Sequence, residues 1–232
     1  MAVFRRLVFA ALCAGFLSGV FATVAHQIAT VPLILDAETY EKSSAHASAG
    51  AHEHPSAWEP ENGVERTAYT LLADILTGVG FALLVGAGLT LRGSEVGWRQ
   101  GLLWGMAGFA TFTVAPSLGL PPQLPGGEAA PLFDRQLWWI GTTAATGCAL
   151  ALIAFTDRAR WTILAAVLIV LPHLYGAPEP PEQMAAVPAV LTHHFIIAAT
   201  VVNFLFWLIL GASTGYFHER LQPQVAGVRA PA

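Results

Sequence analysis

The chain has 232 residues, 55% of them hydrophobic and only 11% charged, with a formal net charge of -4 and a mean hydropathy of +0.57. That composition excludes an ordinary soluble domain, and an acidic chain so poor in Lys and Arg has no nucleic-acid partner to offer. What remains is an all-α polytopic membrane protein, a single helical bundle whose first partner is the lipid bilayer.

In chain order, the first apolar run covers residues 7 to 29, follows Arg5 and Arg6, and carries His26 near its far end. Thr23, Val24 and Ala25 make a passable cleavage site, but the run is longer than the usual ~7 to 15 residue core of a signal peptide. It is read as a retained span; cleavage would leave five spans in place of six. Residues 30 to 67 form the one long connector, opening VPLILDAETYE with an amphipathic cast and running into an Ala, Ser, Gly and His tract. His46, His52, Glu53 and His54 fall there, and short His-rich tracts collect cations loosely, although the spacing fits no tight zinc framework.

The second span, 68 to 91, contains Asp74, the only acid well inside an apolar run. A charge there costs about 2.5 to 3.5 kcal/mol on insertion scales. At about 100° per residue, Thr70, Asp74, Thr77, Gly78 and Gly88 share one stripe, so the acid is expected to face the bundle. The third and fourth spans are placed at 101 to 118 and 137 to 155, joined by PSLGLPPQLPGGEAAPLFDRQ, a proline- and glycine-rich connector without regular structure. The fifth, 161 to 177, is short and ends in LPHL with His173; the sixth, 192 to 216, begins with His193 and His194. With His193 as origin, Thr200, Asn203, Gly211 and Thr214 lie within roughly 80° of one another, which predicts that His193 points inward. His194, turned by about 100°, meets another neighbour or the headgroup layer.

Pro32, Pro116 and Pro172 stand near the same end of three helices, each removing a donor and leaving the carbonyl four residues earlier free; the simplest consequence is a helix stop. Gly15 and Gly19, Gly101 and Gly105, and Gly211 and Gly215 repeat at a spacing that lets helix backbones approach. Of the Lys and Arg residues, eight fall on one side (Arg5, Arg6, Arg92, Arg99, Arg158, Arg160, Arg220, Arg229) and three on the other (Lys42, Arg66, Arg135). Both termini are therefore predicted to be cytoplasmic and residues 30 to 67 periplasmic. The acids are distributed the other way, so the outer face sums to -8 and the inner to +5, an outer surface that concentrates cations.

His26, His173, His193 and His194 fall at similar depth on the outer side. Neutral imidazole suits late first-row divalent metals with carboxylate as a harder companion, so His26, Asp74, His173 and His193 are candidate ligands for a transient cation, with His194 beside them at the same depth and His46, His52 and His54 as a loose collector in the outer loop. A hydrogen-bonded structural role is the alternative for each. The chain lacks G-x-x-x-x-G-K-[ST] and H-E-x-x-H and shows no nucleophile paired with a base, so no enzyme activity and no tightly bound cofactor are expected.

Taken together, FRRLVFAALCAG, VPLILDAETYE, ENGVERTAYT, LTGVGFALL, APSLGLPPQLPG, RQLWW, LPHLYGAP and NFLFWLILG resemble the CbtA family of predicted cobalt transporters over nearly the whole chain. The resemblance implies a bacterial inner-membrane protein that takes up cobalt(II) for cobalamin synthesis, accompanied by a small single-span, His-bearing CbtB-like subunit. It transfers no ligand pattern. Two other readings compete: a haem-binding electron-transfer protein, since paired histidines on neighbouring helices ligate haem, and a non-transporting membrane scaffold.

Overall fold

A computed structural model describes residues 2–48, 60–93, 97–127, 129–180 and 187–221. Those residues fold as eight helices without a strand among them: α1 (Ala2–Ala29), α2 (Val31–Ser48), α3 (Val64–Arg92), α4 (Trp98–Phe109), α5 (Ala115–Ser117), α6 (Leu132–Phe155), α7 (Ala159–Tyr175) and α8 (Ala189–Arg220). A π-helical turn, Ala110–Val114, joins α4 to α5. Helices stand at all six predicted places. Four of them, α1, α3, α6 and α8, are long and apolar enough to cross a membrane; α7, at 17 residues, is shorter, and the third predicted span is the composite of α4, the π turn and α5.

The long connector is not irregular at its start. The chain passes from α1 through Thr30 straight into α2, with Thr30 N–H bonding the His26 carbonyl and Ile34 N–H bonding that of Thr30, both at 3.0 Å. The first helix ends just before Pro32, where a stop was expected, and Pro32 stands at N2 of a second helix, where its missing N–H is one that no carbonyl needed. α2 lays Leu33, Ile34 and Ala37 against Leu191, Phe195 and Ala199 of α8 and against Leu124, and Arg66 of α3 reaches Glu38 of α2 at 2.8 Å. Pro172 lies three residues before the end of α7, and Pro116 inside the closing turn of α5, where helix stops were expected.

Glycine sets the two closest crossings. A Cβ on Gly19 would meet the Ile75 Cα at 2.6 Å, and one on Gly78 the Gly15 carbonyl oxygen at 2.7 Å, so α1 and α3 run antiparallel in backbone contact. Gly101 and Gly105 of α4 meet Gly211, Gly215 and the Trp207 carbonyl of α8 in the same way. Between these crossings lies the core, Ala11, Ala14, Ala22, Ala82, Val85, Leu89, Phe206, Trp207 and Leu210. Phe81, Phe112 and Trp207 brace it, with Phe112 stacked on Trp207 at 5.7 Å and 11° and Phe81 4.6 Å from Trp207. α7 packs on α6 and buries only Ala165, so it stands at the edge of the bundle.

The antiparallel order gathers charge at the two ends. Arg92, Arg99, Arg158, Arg160 and Arg220 flank helix termini at one end, where Arg99 lies over Trp98, Arg160 over Trp161 and Arg220 over Tyr216 at 5.1 to 5.4 Å. Asp36, Glu38, Glu65, Asp134 and Glu179 mark the other. Aromatic rings beside guanidinium groups suit a headgroup layer.

The crossings make a prediction with a sign. Gly211→Ala drives a methyl into α4 backbone that has no soft neighbour to move, and should destabilise the protein by about 1 to 3 kcal/mol. Gly80→Ala, whose Cβ would meet nothing within 4 Å, should be neutral or raise stability by up to about 1 kcal/mol. Thermal unfolding of both variants in detergent checks the pair.

Candidate functional site

The α1–α3 seam is polar towards the acidic end. Ser18 bonds the Ala14 carbonyl at 2.8 Å, beneath Gly78. One turn on, Thr23 Oγ1 donates to Asp74 Oδ2 at 2.8 Å, with the Gly19 carbonyl 3.1 Å away. Asp74 is half-buried, and His26 is within electrostatic reach of it. His26 Nδ1 lies 2.9 Å from Thr30 Oγ1, whose own hydroxyl is 3.3 Å from the His26 carbonyl. When Thr30 donates to that carbonyl, its oxygen accepts from Nδ1–H, and Nε2 keeps a free lone pair, the form in which imidazole binds a metal. Gln27 Nε2 donates to Thr67 at 3.1 Å and closes the seam's outer edge.

Helical spacing explains why these groups meet. Gly15, Gly19, Thr23, His26 and Thr30 follow one another at steps of three and four along α1, so the glycine contact that draws α3 in also delivers Thr23 to Asp74. The stripe predicted on α3 holds for Thr70, Asp74 and Gly78, whereas Thr77 is exposed.

The other candidate ligands lie elsewhere. His173 stands on α7, edge-on to Trp138 of α6 at 5.9 Å, with its Nε2 buried and without a hydrogen-bond partner. His194 is exposed, as an interfacial imidazole would be. His193 is exposed too, which corrects its expected inward orientation. The buried face of α8 at that end runs through Leu191, Phe195, Ala199 and Val202, and His193 is about 200° from Leu191. The stripe through His193 is buried only further along, at Gly211, because α4 covers it there and then turns away at the π turn. His193 instead lines a cavity of about 480 Å³ beneath Gly119, Pro122 and Leu124. His46 belongs to α2 by its backbone, but its side chain, and the whole of His52 and His54, lie outside the described residues. Among the described residues no group of three or more His, Cys, Asp or Glu could hold a metal ion. Asp74 and His26 are thus one pair, with His173 and His193 apart from it.

The family model for CbtA, described as a probable cobalt transporter subunit, matches residues 4–219. The chain belongs to the CbtA family. No curated protein and no solved structure matches it. As a CbtA protein it is a multi-pass membrane protein of a transporter-subunit family, and the four membrane-length helices accord with that. CbtA is a family of transporter subunits and not of enzymes.

Trp138, Thr142, Thr143 and Thr146, buried on α6, are not among the candidate residues that the sequence offers. The signal was there in GTTAATG, three hydroxyls in the middle of an otherwise apolar run.

Because Thr23 fixes the Asp74 carboxylate at one oxygen, Thr23→Val should leave the fold intact and loosen Asp74, costing about 1.5 to 3 kcal/mol of charge-assisted hydrogen bonding. Unfolding of Thr23→Val, Asp74→Asn and the double variant as a cycle checks the coupling; strict additivity would deny it.

Proposed function

We propose that this protein is the membrane subunit of a cobalt(II) uptake transporter, taking the metal on the periplasmic side and passing it inward through a six-span bundle. The family supports the cargo. The observation that carries the capture step is the Thr23–Asp74–His26–Thr30 constellation, an intramembrane carboxylate beside an imidazole at the acidic end of the bundle. An acid at that depth is retained at a cost, and a partly dehydrated divalent cation is a partner that offsets it. The basic end faces the cytoplasm on this reading, with α7 and the α4–α5 composite as the remaining two spans. The histidine tract at 46 to 54 collects metal at low concentration, and the exposed apolar face of α7 leaves room for a small single-span subunit.

Asp74→Asn and His26→Ala should each lower cobalt uptake by at least ~10-fold at normal protein level, the loss of one charge-assisted ligand contact; His194→Ala should leave it within ~2-fold. Uptake of radiolabelled cobalt by cells, normalised to membrane protein, makes the measurement, and wild-type rates in both seam variants would remove the seam from the capture step.

Orientation has its own check. A single cysteine at residue 61 should react with an impermeant thiol reagent from outside intact cells, and one at residue 97 should be protected; the reverse pattern would invert the direction of transport.

A further inference from the structure

Among the described residues α6 packs on α7, and it meets the rest of the bundle chiefly at the π turn and α5. At the basic end two further contacts hold it. Arg92 Nη1 of α3 donates to the Ala154 carbonyl at 2.8 Å, and Phe155 lies against Trp104 of α4 with ring centroids 6.0 Å apart. Between these two places runs a groove of about 500 Å³, walled by α3 and α4 on one side and α6 on the other. The α6 wall is Ala144, Gly147, Ala151 and Ala154, whose side chains are too short to cross the gap.

The groove is a hydrocarbon slot with one charged end. Phe81, Leu84, Leu103 and Trp104 line it, its hydroxyls, Thr111 and Thr143, stand at the deep end, and Arg92 and Gln100 stand at the basic mouth. From Phe81 to Arg92 the helix rises about 16 Å, close to half of the ~30 Å hydrocarbon thickness, so the groove has the depth of one leaflet. Leu84 and Leu103 are exposed, which opens it sideways onto the surface that lipid covers. Water finds few partners in such a lining, and protein interiors are close-packed, so a gap of this kind in a bilayer is filled by hydrocarbon. A membrane-spanning helix cannot take the place, because α6 is tied across both ends of the groove.

We infer that the groove is a site for one phospholipid of the leaflet that meets the basic end, with an acyl chain between α6 and the α3–α4 wall and the phosphate on Arg92. The bond to Ala154 uses one of the five guanidinium N–H donors and holds the exposed group over the mouth. Arg99, Arg158 and Arg160 stand at the same end, against Asp157 and Glu219, so a headgroup of net negative charge is favoured over a zwitterionic one, whose ammonium the same field repels. The bound chain supplies the packing that α6 lacks on this side. The site does not depend on the transport reading.

The test is native mass spectrometry of the delipidated full chain with phosphatidylglycerol or phosphatidylcholine of equal chain length, with circular dichroism to establish that each variant is folded. One phosphatidylglycerol should bind per chain, about 10-fold more tightly than phosphatidylcholine, the worth of one charge-assisted contact. Arg92→Gln should erase that preference and still accept a chain. Ala151→Phe, at an exposed position of the α6 wall, should fill the slot and abolish retention of either lipid. Arg158→Gln, outside the lining, should bind within about 2-fold of wild type, as an exposed charge elsewhere would. Equal binding of the two lipids by wild type, a headgroup preference kept by Arg92→Gln, or lipid retained by Ala151→Phe would overturn the site. So would a lipid-free dimer that Ala151→Phe dissolves, which would give the groove to a second copy of the chain.

Discussion

Backbone-to-backbone contact through glycine is the constraint on which the rest of this bundle depends. Lipid tails are as apolar as leucine, so helices in a bilayer gain little by burying apolar side chains and must gain by close packing. Gly101 and Gly105 on Gly211 and Gly215, and Gly15 and Gly19 on Gly78, bring two antiparallel pairs to the smallest separation that backbones allow. The first contact then places Trp207 under Gly108 and Phe112 over Trp207, and so locks the middle of α8 to α4 and α3. Immediately beyond Gly108 the helix loosens into the π turn, whose longer register, with Ala115 N–H on the Ala110 carbonyl, accommodates the missing donor of Pro116. α4 therefore hugs α8 along the basic half of the bundle and departs from it along the acidic half. The departure leaves space beside α6.

Hydroxyl groups differ from helix to helix. On α1, α3 and α8 serine and threonine turn back on their own carbonyls, as Ser18 does under Gly78 and Thr214 in the basic half of α8. On α6, Thr142, Thr143 and Thr146 are buried without partners. Back-bonding satisfies a hydroxyl at no cost to packing, so its absence at three threonines of one helix distinguishes them from the rest.

The sequence made the helices and the glycine spacings legible, because the span length and the four-residue repeat are local. It assigned no partner to any glycine pair, since the match of Gly101 to Gly215 is a tertiary fact. Asp74 was legible as a bundle-facing acid, because the polar stripe on α3 is short and is covered by one neighbour over its length. His193 was not, because α8 is 32 residues long and changes partners along its course, α2 and Leu124 at one end and α4 at the other. A stripe averaged over such a helix describes neither half. α2 is half legible: its amphipathic start is plain in VPLILDAETYE, but Glu38 meeting Arg66 and Leu33 meeting α8 are contacts that no periodicity contains.

Charge placement follows from the cost of burying it. Among the described residues most guanidinium groups stand at one end, three of them beside aromatic rings, most carboxylates stand at the other, and the long apolar helices hold one acid well inside them, bonded by Thr23 and near an imidazole. On the proposed capture reading, a cation that settles at Asp74 stays near the acidic mouth, where the surrounding carboxylates raise its local concentration. Carrying it further among neutral groups without its water would leave a bare divalent charge in the most expensive state available to it.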